Sequence, residues 1–327
     1  MYRNDAAAPH PWRVSGGARG RLRGMALGLV LATACGQAGL VEPDAPVTAS
    51  LREPLEADRA DALPSEVLKA SVEIFGLPIA SLESVLCRAE DGGLTASTDV
   101  DAAPLVKVIR RTSGEARTQL LGPSLAPSSS DYTFRDGDIV RHYTVDYRAG
   151  GYSYVYDNGG AERRRGNDAV PEGAEVHDLQ SAMLRLRAWR PRLGETAYLY
   201  VVLGRRPWRV EVTSRGPEMV KVGGDARLSY RIDGVAVRLW EPEKATPKHF
   251  SLWLSEERER VPLRMVADAS FGQVTMLLTD RQTGEVACPK SAIAAASSRP
   301  SGAVSSSAWS SPAVTGRDLA ASDLEPP

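Results

Sequence analysis

The stretch from Asp178 to Asp280 constrains the fold most, because short segments of alternating apolar and polar residues follow one another along it with turn signals between them. Such alternation is typical of half-buried β-strands. The predicted strands span 197–203, 208–214, 227–232, 235–240, 248–254, 262–267 and 273–278. Strands this short predict a mainly β fold, with a curved antiparallel sheet or open β-barrel and one or two short helices.

Turn and cap residues divide this stretch into elements. The dipeptide Asp233-Gly234 suits a type I′ turn and gives the strongest hairpin prediction in the chain, and Gly204 to Pro207 predicts another hairpin. Apolar residues at helical spacing predict one short helix over residues 178–189, with Asp178 as its N-terminal cap.

The N-terminal half predicts more strands for the same sheet. Candidate strands cover residues 105–111, 132–134, 139–147 and 152–156, with turns at 136–138 and 157–160. Residues 64–76 show helical spacing, although 72–75 fits a strand equally well. Residues 122–130 and the arginine-rich segment 163–168 are predicted as loops, and the arginines of the latter fit a solvated surface better than a phosphate or acidic partner.

The N-terminus predicts export. A basic flank precedes an apolar run from Met25 to Cys35 that is too short to span a membrane, which is the pattern of a signal peptide. Thr33-Ala34-Cys35 resembles the lipobox of bacterial lipoproteins and predicts lipidation of Cys35; signal cleavage nearby without lipidation is the alternative. The partner would be a membrane, reached through the lipid anchor. Gly36-Gln37 lacks the aspartate that retains such proteins at the inner membrane, so we expect the periplasmic face of the outer membrane.

Composition divides the chain into four parts. We expect a lipoprotein-type signal at 1–35, a flexible linker at 36–62, a single β-rich domain at 63–290 and a disordered Ala/Ser/Pro tail at 291–327. The formal net charge of −1 creates no overall positive potential that would attract nucleic acid, so we expect no nucleic-acid partner.

Two cysteines remain once Cys35 is set aside. Cys87 and Cys288 form an even pair in an oxidising compartment and predict a disulfide that closes a long loop, with two unpaired thiols as the alternative. In the chain-entropy model such a bridge contributes roughly 4 to 5 kcal/mol. No metal site is expected, because the two cysteines are far apart and have no adjacent histidine.

An ordered set of residues in the same stretch resembles the domain of unknown function 3108 family. The set begins with Asp178 and Ser181 before a short helix with arginines, and continues with Leu193-Gly194 before a strand. It then includes Trp253, Ser255, Arg260 and Pro262 in a W-L-S-x-(D/E)-x-x-R-x-P run, and ends at a turn with Gly272. The resemblance implies an exported protein and structural roles for these residues, and it implies no activity.

We searched the sequence for motifs of four enzyme classes and found none. It has no Gly-x-Ser-x-Gly elbow, His-Glu-x-x-His, P-loop or dinucleotide-binding motif. We therefore expect no enzyme activity, no catalytic residue, no cofactor and no metal.

Aromatic residues of the predicted strands are candidates to line an apolar groove that would accept a lipid or a glycan. They are Tyr198, Tyr200, Trp208, Tyr230, Trp240, Phe250 and Trp253. The alternative is that they form the core. The leading hypothesis is a non-enzymatic envelope protein that binds or escorts an apolar or amphiphilic component. The alternatives are a scaffold that binds other envelope proteins through a sheet edge or its tail, and a glycan hydrolase.

Overall fold

The computed structural model describes residues 63–288 except 89–92, 110, 160–162, 172–173, 241–245 and 270–271. Cys35, the predicted signal peptide, the linker and the tail lie outside the described residues. The strands are β1 (Glu66–Ile74), β2 (Leu77–Arg88), β3 (Leu94–Ala102), β4 (Thr112–Leu121), β5 (Ala126–Asp136), β6 (Ile139–Arg148), β7 (Gly151–Asp157), β8 (Arg163–Ala169), β9 (Val176–His177), β10 (Thr196–Leu203), β11 (Arg206–Val222), β12 (Asp225–Arg238), β13 (Lys248–Ser255), β14 (Pro262–Ala269) and β15 (Gly272–Thr283). The α-helices are α1 (Pro104–Ile109) and α2 (Leu179–Ala188), and Gly122–Ser124 forms a 3-10 turn.

All of these strands belong to one sheet, in the order β8-β7-β6-β5-β4-β3-β2-β1-β15-β14-β13-β12-β11-β10-β9. Neighbours are antiparallel except β9 and β10, which are parallel. The first strand lies at the centre, since β1 pairs with both β2 and β15. The predicted class is confirmed: over the described residues the fold is mainly β, with a single open sheet and two short helices.

Curvature brings the two halves of the sheet together without joining their backbones. A buried cluster unites Tyr132 and Val145 of β5 and β6 with Val176 of β9 and Val202 of β10. The sheet therefore encloses an interior as a barrel does, while β8 and β9 stay at its edges in the hydrogen-bond order.

Helix α2 lies inside this curved sheet. Ala182 and Leu186 pack against residues of β10 to β14, and Leu184 and Ala188 pack against the opposite wall with Leu86 and neighbouring residues. Because it touches both walls, α2 fills one part of the interior. The β1–β2, β5–β6 and β10–β11 turns lie together at one end of the antiparallel sheet, and we call this end of the interior the open end.

The predicted turn at Asp233-Gly234 is wrong, because both residues lie inside the continuous strand β12. Gly234 pairs with Val212 on one side and Phe250 on the other. A Cβ at position 234 would overlap the Phe250 ring, which explains the glycine without a turn. The chain instead reverses between β11 and β12 at the two glycines 223–224, both with positive φ.

Three further local predictions differ from the structure. Residues 66–74 form strand β1 rather than a helix, since β2 and β15 flank them. The strand predicted at 105–111 is wrong: Pro104–Ile109 is helix α1, which proline favours at its first position, and Leu105 and Val108 are exposed. The segments predicted as loops are also largely strand, because β5 starts at Ala126 and Arg163–Ala169 is β8.

Candidate functional site: an interior cavity

The interior holds a cavity of about 500 Å³. Its walls are alternate residues of neighbouring strands, as expected for side chains that point to one face of a sheet. Apolar residues of β1, β2, β3, β14 and β15 supply most of this lining, including Leu68, Val72, Leu82, Val100, Met265, Val274 and Met276. The cavity therefore has an apolar body formed mainly by the central strands.

Helix α2 closes one side of the cavity with Leu179, Met183 and Leu184. Gln180 also lines it, and its Nε2 donates to Thr98 Oγ1 at 2.9 Å and to the Ala116 carbonyl at 3.2 Å. These bonds attach the helix to β3 and β4, so the cavity wall on this side is fixed by polar contacts.

The N-terminus of α2 is fixed by a buried carboxylate. Asp178 forms a capping box with Ser181: its Oδ1 accepts from the Ser181 backbone N–H at 2.7 Å, and the Asp178 N–H donates to Ser181 Oγ at 3.0 Å. Its Oδ2 accepts from the hydroxyls of Thr118, Ser130 (3.0 Å) and Tyr132 (3.2 Å). Burial, then the nearby Asp178 charge, raise the pKa of Tyr132, so its hydroxyl stays protonated and can donate.

The C-terminal part of α2 is fixed by a buried ion pair. Arg187 Nη2 lies 2.6 Å from Glu66 Oε1, and both side chains are almost fully buried. Arg187 Nε also donates to the carbonyls of Glu259 (3.1 Å) and Arg260 (3.2 Å), and Arg281 Nε reaches Glu66 Oε2 at 3.1 Å. Burial lowers the pKa of Arg187, and the Glu66 charge offsets part of that effect.

The lining becomes polar and aromatic at the open end. Arg141, Tyr143, Tyr156, Arg205 and Arg206 line the cavity there, and we call these five residues the rim. The rings of Tyr143 and Tyr156 lie 4.7 Å apart between centroids, and the Arg205 guanidinium lies 5.8 Å from the Tyr156 centroid. Burial and Tyr156 raise the pKa of Tyr143, and the three rim arginines offset part of the rise.

The predicted groove aromatics are mostly elsewhere. Trp208 lines the cavity, whereas Tyr198 and Tyr200 belong to the cluster that joins the sheet halves. Phe250 lies over Gly234 in the core, and Trp253 packs against Val220 and Leu263. Tyr230 faces the Arg260 guanidinium at 4.4 Å, and the Trp240 carbonyl accepts from Arg238. Most of these aromatics thus contact other parts of the fold and do not line the cavity.

The residues of the W-L-S motif organise the β13–β14 connection. Ser255 exchanges two bonds with Val261: its N–H donates to the Val261 carbonyl at 2.8 Å, and its Oγ accepts from the Val261 N–H at 3.0 Å. Arg260 adopts a positive φ of 45° and donates through Nη1 to the Trp189 carbonyl at 2.6 Å. Pro262 starts β14 opposite Leu254 and lines the cavity.

The rim arginines and the lining from β1 to β3 were missed from the sequence. Arg141 had a readable signal, because it lies two residues before Tyr143 and four before Val145 in β6, on the apolar side of the alternation. Arg205 and Arg206 were assigned only to a turn. No local pattern connects β1 to the cavity, since its neighbours β2 and β15 are set by tertiary pairing.

Cys87 and Cys288 form a disulfide, with Cα atoms 5.4 Å apart and a sequence separation of 201 residues. The bridge joins the end of β2 to the segment after β15, away from the rim.

No group of three histidine, cysteine, aspartate or glutamate side chains that could hold a metal is found among the described residues. Over the same part of the chain, no helix has the length and apolarity needed to cross a membrane.

The solved structures that are similar to this chain share little sequence with it. A β-barrel-like protein of the DUF1849 domain of unknown function from Brucella abortus has 10% identity and a TM-score of 0.47, covering 68% of this chain and 99% of its own. A putative exported protein with a YmcC-like fold from Bacteroides fragilis has 9% identity and a TM-score of 0.32, covering 68% and 98%. LprF from Mycobacterium bovis has 11% identity and a TM-score of 0.26, covering 73% and 94%.

No curated protein matches the sequence. One family model does, and it spans most of the barrel, from residue 76 to residue 279. The chain therefore belongs to the family described as protein of unknown function DUF3108.

Proposed function

We propose that the protein is a non-enzymatic envelope protein that binds or escorts an apolar or amphiphilic molecule in the cavity of its barrel. The observation that carries this proposal is the cavity itself: about 500 Å³, enclosed by the sheet and α2, with a mainly apolar lining. Small-molecule sites typically have about 300–1,000 Å³ and a mainly apolar wall with a few polar groups. The signal-like N-terminus and Cys35 support an envelope location on a lipid anchor.

The polar groups of the cavity support binding more than catalysis. Its two carboxylates, Glu66 and Glu115, each contact an arginine: Glu66 lies beside Arg187, and Glu115 Oε1 lies 2.5 Å from Arg117 Nη2. Carboxylates that are paired in this way are poor candidates for the acid and base of a glycan hydrolase.

The scaffold alternative has weaker support. The edge strand β8 carries exposed arginines at its first three positions, 163–165. Charged side chains on an edge strand oppose the addition of another strand.

A cavity-filling variant tests the proposal. L82W would place an indole inside the cavity, and E83W, on the next residue and the outer face of β2, is the matched control. We expect native mass spectrometry of the full chain, purified from its own envelope, to detect a bound lipid or other amphiphile in the wild type and in E83W, and to detect it much less in L82W. If the wild type carries no such molecule and binds no added amphiphile, the proposal is wrong.

A further inference from the structure

The rim places positive charge on the concave face of the sheet. In β6, Arg141 shares its face with Tyr143 and Val145, and it pairs across the sheet with Phe134, which also lines the cavity. A guanidinium on an apolar face loses hydration, so its placement is costly unless an anion compensates it.

Other arginines of the interior are compensated by a carboxylate of the chain itself. Arg187 lies beside Glu66, and Arg185 lies 3.5 Å from Glu175. Arg141 and Arg205, by contrast, form no ion pair with a carboxylate in the part of the chain that the structure describes; the Arg205 guanidinium lies over the Tyr156 ring, 5.8 Å from its centroid.

The charges that line the cavity are unbalanced toward the rim. The charged residues of the lining are arginines 141, 187, 205 and 206 and glutamates 66 and 115. Both glutamates already contact an arginine, so they do not neutralise the rim. An apolar body with a cationic mouth is complementary to a molecule that has an apolar chain and one anionic end.

We propose that the cavity selects amphiphiles with an anionic headgroup, a carboxylate or a phosphate, which Arg141 and Arg205 bind at the open end while the apolar chain occupies the body of the cavity. This inference rests on the proposed function and adds the charge of the headgroup to it. Arginine suits the role because its planar fork of N–H donors matches both oxyanions.

The test compares probes that share one chain and differ in the headgroup. Dodecanoate, dodecyl phosphate, dodecanol and dodecyltrimethylammonium are titrated into the full chain below their micelle concentrations, with displacement of a fluorescent apolar dye as the readout. We expect both anions to bind about tenfold or more tightly than dodecanol, because one charge-assisted hydrogen bond is sufficient for that ratio. The ammonium probe should bind more weakly than dodecanol.

The variant R141Q/R205Q should lose the preference for anions and still bind dodecanol, which shows that the cavity remains intact. The control R135Q/R163Q removes the same charge from exposed side chains and should keep the preference. Equal binding of dodecanol and dodecanoate by the wild type, or an anion preference that persists in R141Q/R205Q, overturns the headgroup inference and leaves the proposed function standing. If no probe displaces the dye, both fail.

Discussion

The aromatic ring of Phe250 on β13 covers Gly234 on β12, its partner in the antiparallel register. A Cβ at position 234 would overlap the ring, so the ring occupies the space that a side chain would take. Phe250 is itself buried in the largest core cluster, which also contains Leu252 and Met265. The glycine therefore serves core packing within a strand.

This contact predicts that G234A is destabilising, even though alanine loses less backbone entropy than glycine when a strand forms. The added methyl group must displace the Phe250 ring, and overpacking of this kind costs about 1–3 kcal/mol. Urea denaturation of the wild type and G234A measures the change in the free energy of unfolding.

A double-mutant cycle distinguishes this contact from a general intolerance of position 234. F250A alone should cost about 3–5 kcal/mol, and adding G234A to it should cost almost nothing, since the ring is gone. Equal costs of G234A in both backgrounds would contradict the steric explanation.

The residue before that glycine has an electrostatic role. Asp233 accepts hydrogen bonds from Arg215 Nε, Arg231 Nε and Ser251 Oγ, each at 2.8 Å. Burial acts to raise the pKa of Asp233, but these hydrogen bonds outweigh it and lower the pKa below its ordinary value of 3.8.

Because the folded-state pKa is lowered, ionised Asp233 stabilises the fold above pH 3.8, and this stabilisation is lost as the pH falls through the folded-state pKa. We expect D233N to cost about 2 kcal/mol at pH 7 and progressively less below pH 3.8. Urea midpoints between pH 7 and pH 3 measure this, with D225N at an exposed position of the same strand as the control. A D233N deficit that grows toward low pH would contradict the assignment.

Asp233 and Gly234 also show why a prediction from adjacent residues alone can fail. A dipeptide that is favourable for a type I′ turn is used here for an ion-pair cluster and for packing under an aromatic ring, and Arg215 and Phe250, which make these contacts, come from the neighbouring strands. Predictions from neighbouring residues succeeded where the interaction itself joins residues that are close in the sequence. The cap formed by Asp178 with Ser181, three residues apart, is visible in the sequence and present in the fold.

Long-range strand pairing is the main reason why the other features could not be predicted from the sequence. The alternation that makes 66–74 a strand is weak by itself, and its partner β15 lies about two hundred residues further along the chain. In the site, Trp208 was identified through its strand pattern, but the neighbouring aromatics face other clusters because the curvature of the sheet decides which cluster each side chain meets. That curvature is a property of the whole sheet.

The disulfide gives a prediction about the unfolded state. With a sequence separation of 201 residues between Cys87 and Cys288, the chain-entropy model predicts that the bridge contributes about 5 kcal/mol. We expect C87S/C288S to unfold at a clearly lower urea concentration than the wild type, and C35S to match the wild type. Thiol titration of the unfolded, unreduced protein should find neither Cys87 nor Cys288 reactive. Reactivity at both, or identical urea midpoints, would show that the bridge does not form.

The Glu66–Arg187 pair yields the last prediction, because it attaches α2 to β1 inside the barrel. Removing one member of a buried pair leaves an uncompensated charge, so E66Q should cost about 3–5 kcal/mol. E83Q, which breaks the exposed pair with Lys69 at 3.7 Å, should cost less than about 1 kcal/mol. The double variant E66L/R187M should recover much of the stability lost in E66L, since apolar side chains then replace both charges. If E66L/R187M were less stable than E66L, the hydrogen bonds from Arg187 to the carbonyls of Glu259 and Arg260, rather than its charge pairing, would be the main reason for keeping an arginine in the core.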